Sequence, residues 1–131
     1  MLPNFLRSKE IAHKQLTELI LTDTMHERKT KMNDLCDGVI ALPGGFGTLE
    51  ELFEMLTWGQ LGLHKKPIAI LNIDGYYDSL IVFVQTMTDK GLLKKVNQQM
   101  LLVSDSIEEL LDKMENYVPP TVGKWITKEN I

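Results

Sequence analysis

The sequence predicts an α/β fold, a parallel sheet with helices on both faces, and three observations predict it. Short apolar runs alternate with segments of helical period. One run, Pro67 to Asn72, is continuously apolar through Ile68-Ala69-Ile70-Leu71, as strands buried on both faces are. The segments follow one another through short connections, which suits strands joined by helical crossovers. About four strands can be counted, few for a sheet that must be covered twice.

Met1 to Gln15 has a proline, mixed charge and no sustained period, so it reads as loop with one helical turn around Ser8 to His13. Leu16 to Thr22 is rich in β-formers and reads as a short strand. Thr24 followed by Glu27 is a capping box and Gly38 a stop signal, which predicts a helix over Met25 to Cys36. At 100° per residue Met25, Met32, Leu35 and Cys36 form its apolar stripe, with Arg28 inside the stripe and Lys29 at its border. An inward guanidinium needs an anionic or strongly polar partner.

Val39 to Leu42 is the next strand. It stops at Pro43-Gly44-Gly45-Phe46-Gly47, where a helical pattern begins at once and runs to about Leu61. Leu49, Leu52, Phe53 and Leu56 make its core stripe; Glu51, Met55 and Trp58 stand nearly opposite, so a second cover is expected, most simply another subunit. After the turn Gly62 to Lys66 comes the strand Pro67 to Asn72, and after the turn Asp74-Gly75 a helix from Tyr77 to Lys90, with Leu80, Phe83, Val84 and Met87 inward and Gly91 as its stop. Leu101 to Val103 is the last strand. Asp105 or Ser106 caps a helix over Ile107 to Asn116, with Ile107, Leu110, Leu111 and Met114 inward, ended by Pro119-Pro120. One domain is expected over 1–118 and a polar tail over 119–131.

Composition narrows the partners. A net charge of −4 with no basic block argues against nucleic acid, and no apolar run reaches membrane-spanning length. The single cysteine, Cys36, excludes an internal disulfide and the three histidines lack metal-ligand spacing, so cytoplasm is the expected compartment and neither metal nor organic cofactor is expected.

Chemistry concentrates in the glycine turn. A strand that ends in glycines and opens a helix leaves backbone N–H groups at the positive end of the dipole, with no Cβ to hold an anion away. The turn is neither a P-loop, since Thr48 and Leu49 follow Gly47 where Lys and Ser or Thr would be needed, nor a dinucleotide fingerprint, since Glu50 stands at the third glycine. Glu50 and Glu51 therefore lie a turn from an anion seat, where a developing cation suits them better than phosphate does. The sugar end of a nucleotide supplies both charges. Taken alone, Glu51 also reads as a first-turn glutamate favoured by the helix dipole. Glu54 points away and reads as solvated, and His26 as a capping or surface residue.

Met25-His26-Glu27-Arg28-Lys29 and Pro43-Gly44-Gly45-Phe46-Gly47-Thr48-Leu49-Glu50-Glu51 strongly resemble the Arg-Lys pair and PGGxGTxxE motif of the Lonely Guy (LOG) family. Those proteins are cytokinin-activating phosphoribohydrolases, with bacterial members often labelled as possible lysine decarboxylases. Lys9-Glu10-Ile11-Ala12, Thr57-Trp58 and Asp74-Gly75-Tyr76-Tyr77 agree as well, and the likeness covers roughly residues 3 to 118. The resemblance implies a Rossmann-like homodimer that cleaves the N-glycosidic bond of adenosine-type, often N6-prenylated, nucleoside 5′-monophosphates. It implies Arg28 and Glu51 as the catalytic pair. Glu10, Arg28, Lys29, Gly44, Gly45, Phe46, Gly47, Thr48, Leu49, Glu50, Glu51 and Thr57 become the substrate-binding positions.

Family members open with strands and a further glycine-rich, serine-containing turn that has no counterpart here. The N-terminal strands are therefore expected to be missing, and a nucleotide-binding remnant without catalysis is the alternative. Decarboxylation would need a Schiff-base lysine, and nothing marks Lys29, Lys65 or Lys66 for that.

Overall fold

The computed structural model describes residues 2–3, 18 and 20–121, which fall into two units, Met1–Cys36 and Asp37–Ile131. In the first unit β1 (Leu2–Pro3) pairs in parallel with β2 (Leu21–Thr22), Leu2 opposite Leu21 and Pro3 opposite Thr22. The loop expected over Met1 to Gln15 thus contains a strand pairing at Leu2–Pro3. The helical turn around Ser8 to His13 lies outside the described residues, as do Leu16, Thr17 and Leu19 of the expected strand. Glu18 and Ile20 have no strand pairing, which leaves Leu21–Thr22 as its paired part among the described residues.

The capping box forms as the sequence requires and starts α1 (Met25–Leu35). Glu27 N donates to Thr24 Oγ1 at 3.0 Å, and Glu27 Oε2 accepts from Asp23 N at 3.1 Å. The helix ends at Cys36 in extended backbone, φ −90° and ψ 157°, so Gly38 is not a left-handed stop. Its role is packing: a Cβ there would lie 2.8 Å from Met114 Cε. The predicted apolar stripe is also corrected. Met25, Met32 and Leu35 are exposed, while Asn33 is buried and Lys29 and Cys36 half-buried, three positions spaced i, i+4, i+7. Periodicity says which residues share a helix face, not which face is covered.

The second unit runs β3 (Val39–Ala41), α2 (Phe46–Gln60), β4 (Ile68–Leu71), α3 (Asp78–Asp89), α4 (Lys95–Gln98), β5 (Leu101–Ser104) and α5 (Ile107–Glu115). Its three strands are parallel in the order β3-β4-β5, with Ile40 opposite Ala69 and Ile70 opposite Val103. The central strand is the apolar run the sequence singled out, and Ile68, Ala69 and Ile70 are at most 1% exposed. Successive side chains of a strand point to opposite faces. Ile68 and Ile70 meet Leu52 and Met55 of α2, Tyr77, and Leu80 and Ile81 around α3. Ala69 turns to the other face, against which α5 packs. The predicted class, a parallel sheet with helices on both sides, is what forms.

Three strands about 4.8 Å apart make a sheet roughly 10 Å across, about one helix diameter, yet α2 and α3 share one of its faces. Phe83 of α3, expected inward, is therefore left out. Val84 and Leu110 are buried, but Phe83, Ile107 and Leu111 are exposed. The converse holds for Met55: expected at a subunit seam, it is 7% exposed and belongs to the core of its own chain.

Candidate functional site

The glycine turn leaves the carboxyl end of β3 and delivers the chain into α2. Gly45 is the N-cap, with no side-chain cap, and the helical ladder begins only with Leu49 N to Gly45 O at 3.1 Å. The amides of Phe46, Gly47 and Thr48 precede it and have no ladder partner. The three glycines are not equivalent. A Cβ on Gly44 would collide with Thr48 Oγ1 and stand 2.8 Å from Thr48 Cβ, so this glycine lets the threonine close over the turn. Cβ atoms on Gly45 and Gly47 would meet nothing within 4 Å among the described residues, so their backbone faces open space. Phe46 projects outward between them, 94% exposed.

Two tyrosines hold the turn from the loop after β4. Tyr77 Oη donates to Leu42 O at 2.6 Å and Tyr76 Oη to Gly44 O at 2.5 Å. Burial, with a smaller contribution from neighbouring Tyr76, raises the Tyr77 pKa above its ordinary value; a backbone hydrogen bond from Gly44 works the other way. Asn72 ends β4 and braces this loop. Its Oδ1 accepts from Tyr77 N at 2.8 Å and its Nδ2 donates to Asp78 Oδ1 at 2.8 Å. Sequence reasoning gave these tyrosines no role. The available signal was two adjacent residues with apolar bodies and polar tips directly after a turn, where a buried hydroxyl must find an acceptor.

The carboxylates sort by exposure. Glu50 is exposed and Glu51 half-buried. Because α2 starts at Phe46, Glu51 belongs to its second turn, which corrects the first-turn reading. Four residues after Gly47, it shares that residue's face, and side chains on a helix lean toward the N-terminus, so Glu51 leans toward the mouth of the turn. Glu54, expected in solvent, is half-buried, with Oε1 withdrawn from water. Thr57 is exposed and lines a groove with Phe53, Leu56 and Gln60 of α2 and Met87 and Met100. It stands ten residues beyond Gly47, about 15 Å along the helix at 1.5 Å per residue, so one protomer does not bring both to one ligand group. Trp58 is half-buried.

Arg28 and Lys29 stand in the first unit on α1, both half-buried, with Arg28 N donating to Thr24 O at 3.0 Å in the first ladder bond. His26 is exposed. Glu10 lies outside the described residues. Among the described residues no group of three or more His, Cys, Asp or Glu is disposed to hold a metal ion, and no helix is long and apolar enough to cross a membrane.

A parallel sheet whose glycine turn opens a helix at the carboxyl edge is the class of α/β protein that seats ligands at that edge. The chain belongs to the family described as "Possible lysine decarboxylase", whose model matches residues 1–114, and the resemblance drawn from the two motifs is borne out. It is similar to the cytokinin riboside 5′-monophosphate phosphoribohydrolase LOG2 of Arabidopsis thaliana, 42% identical over 119 residues, which are 91% of this chain and 56% of that protein. LOG5 of the same plant is 42% identical over 94% of this chain and 54% of its own length. The LOG protein of Oryza sativa subsp. japonica is 40% identical over 91% and 49%. The chain thus spans about half the length of the curated relatives it matches.

Proposed function

We propose that the protein hydrolyses the N-glycosidic bond of adenosine-type nucleoside 5′-monophosphates, N6-substituted ones included, to free base and ribose 5-phosphate. The observation that carries this reading is the glycine turn, open among the described residues, with helix-start amides that precede the ladder and no side-chain cap, and Glu51 one turn behind on the same face. The relatives are named cytokinin riboside 5′-monophosphate phosphoribohydrolases, which supports the N6-substituted part of this reading. In this reading Gly44 to Thr48 receive the 5′-phosphate, and the resemblance keeps Lys29 among the substrate-binding positions. The C1′–N bond breaks with its electron pair leaving on the base, which takes up a proton. Glu51 stabilises the positive charge growing on the sugar and accepts a proton from the water that adds its hydroxyl to C1′. The family resemblance names Arg28 as the other member of the catalytic pair, and a bidentate fork suits a carboxylate or a phosphate.

The reading extends to a homodimer. Thr57, a position the resemblance assigns to the ligand, stands about 15 Å along α2 from Gly47, a separation comparable with the length of an N6-substituted nucleotide, and the second copy of the chain comes from the family resemblance. Incubation with AMP and N6-isopentenyl-AMP, with chromatography for free base and light scattering for mass, tests both parts. Base release from a dimer is expected. Binding without base release would replace the enzyme by a nucleotide-binding module, and a monomer that turns over substrate would remove the second copy from the site.

A further inference from the structure

One of the two tyrosine tethers goes beyond what packing asks for. Tyr77 is 3% exposed and its ring belongs to the core, so its hydroxyl needs a partner wherever it lies. Tyr76 is different. Its ring is 55% exposed, packed edge-on against Tyr77 with centroids 4.9 Å apart, yet its hydroxyl reaches a carbonyl 32 residues away. The loop is built to present it. Asp74 and Gly75 take left-handed φ values of 52° and 70°, and Asn72 N donates to Ser104 O at 2.8 Å, which joins the loop's root to β5.

What Tyr76 holds is the peptide between Gly44 and Gly45. A planar trans peptide carries its C=O and N–H on opposite sides, and the described chain has no cis bond. Drawing the Gly44 carbonyl toward Tyr76 therefore turns the Gly45 N–H the other way. With glycine on both sides, this is the peptide of the turn freest to rotate, since the rotation exchanges only the Gly44 ψ and Gly45 φ angles, and neither residue has a Cβ to oppose it. Rotated, it would present a carbonyl oxygen where an anion needs a donor. The Leu42 carbonyl held by Tyr77 belongs to a peptide whose nitrogen is Pro43, with no N–H to aim, so that tether fixes the path of the chain.

We propose that Tyr76 is a positioning residue for the anion seat: its hydroxyl locks the Gly44–Gly45 peptide with the N–H outward, while Tyr77 anchors the strand end from which the turn springs. The proposal rests on the phosphate reading of the turn for its purpose, but not for its structural content.

Tyr76→Phe removes one oxygen and tests it. In ligand-free protein the Gly45 amide resonance should broaden or double, while the melting temperature stays within a few degrees. With substrate, KM for AMP should rise about ten- to a hundredfold, the loss of one hydrogen bond to a charged group. The kcat should hold within about twofold, because the phosphate is remote from the breaking bond, and adenosine lacking the phosphate should bind both proteins alike. A Gly45 resonance identical to that of the unaltered protein would overturn the proposal whatever the substrate data show. An altered Gly45 in a protein that binds no AMP would uphold the tether and refute the nucleotide reading. An altered Gly45 with an unchanged KM for AMP would separate the tether from the seat and overturn its assigned purpose.

Discussion

The division of labour among the three glycines makes the sharpest prediction. At Gly44 a methyl has no room: it would overlap Thr48 Oγ1 and approach Thr48 Cβ to 2.8 Å, and the threonine is held in the first turn of α2. Overpacking of this kind costs about 1–3 kcal/mol. At Gly47 the methyl meets nothing within 4 Å among the described residues, and the residue is inside the helix with no positive φ. Alanine there gains helix propensity and loses unfolded-state freedom, together up to about 1 kcal/mol of stabilisation. For a chain of this length 1 kcal/mol moves the melting temperature by roughly 3–5 °C. Gly44→Ala should thus melt about 3–15 °C lower, while Gly47→Ala should melt at or slightly above the unaltered protein.

Affinity should run the other way at Gly47. Its methyl occupies the space an anion needs to reach the helix-start amides, so AMP binding should weaken about ten- to a hundredfold, the value of one charge-assisted hydrogen bond. Thermal melts followed by circular dichroism and calorimetric titration with AMP read the two quantities separately. A Gly47→Ala protein that melts higher and binds AMP unchanged would move the seat away from this turn. A Gly44→Ala protein of undiminished stability would refute the assignment of structural and ligand-facing roles.

Glu51→Gln keeps the shape but removes the charge and replaces one acceptor oxygen by a donor. AMP binding should persist while base release falls at least about a hundredfold, the scale of losing a single electrostatic stabiliser, measured by single-turnover assay. The end of α2 carries a second test. Lys66 N donates to His64 Nδ1 at 3.0 Å, so the proton is on Nε2, which lies 2.8 Å from Met55 O and donates to it. His64→Ala should cost about 1–3 kcal/mol in urea unfolding. Gly59→Ala, whose Cβ would stand 2.6 Å from Met100 Cε and 3.2 Å from His64 Cε1, should cost less than Gly44→Ala because the methionine end can move. At high pH, Tyr77 has a folded pKa above its unfolded value near 10.0, so its contribution is complete below that pH and is lost as pH rises through the folded value. Burial gives Tyr117 the same sign, so in melts between pH 8 and 11 Tyr77→Phe should flatten the alkaline decline without abolishing it.

How much of this was legible depended on whether the code was local. The capping box at Thr24, the serine cap of α5 and the left-handed glycine at Gly91 are decided by neighbours in sequence, and the structure has all three. The Ile68 to Leu71 run identified the central strand because no other environment suits four unbroken apolar residues between turns. Coverage is a long-range quantity. The stripe of α1 was read from the right period but centred off the covered face, since Cys36 and its border Lys29 are half-buried while Met25, Met32 and Leu35 are exposed, and Phe83, Ile107 and Leu111 are exposed as well. The short helix α4 escaped notice because four residues, Lys95–Gln98, are too few for a period to show.

The site shows the same split in a form that bears on its chemistry. A motif written as a string treats Pro43 to Glu51 as one object, but packing separates it into parts. Gly44 and Thr48 shape the turn, Gly45 and Gly47 leave it bare, and Glu51 waits one helical turn behind. What the string omits is equally physical. The orientation of the Gly44–Gly45 peptide depends on a hydroxyl 32 residues downstream, which no local pattern encodes. Thr57 makes the complementary point. The resemblance sets it beside Gly47 among ligand positions, yet ten residues of straight helix hold the two about 15 Å apart. A set of contact positions gathered from sequence does not record how far apart they stand; a helix does.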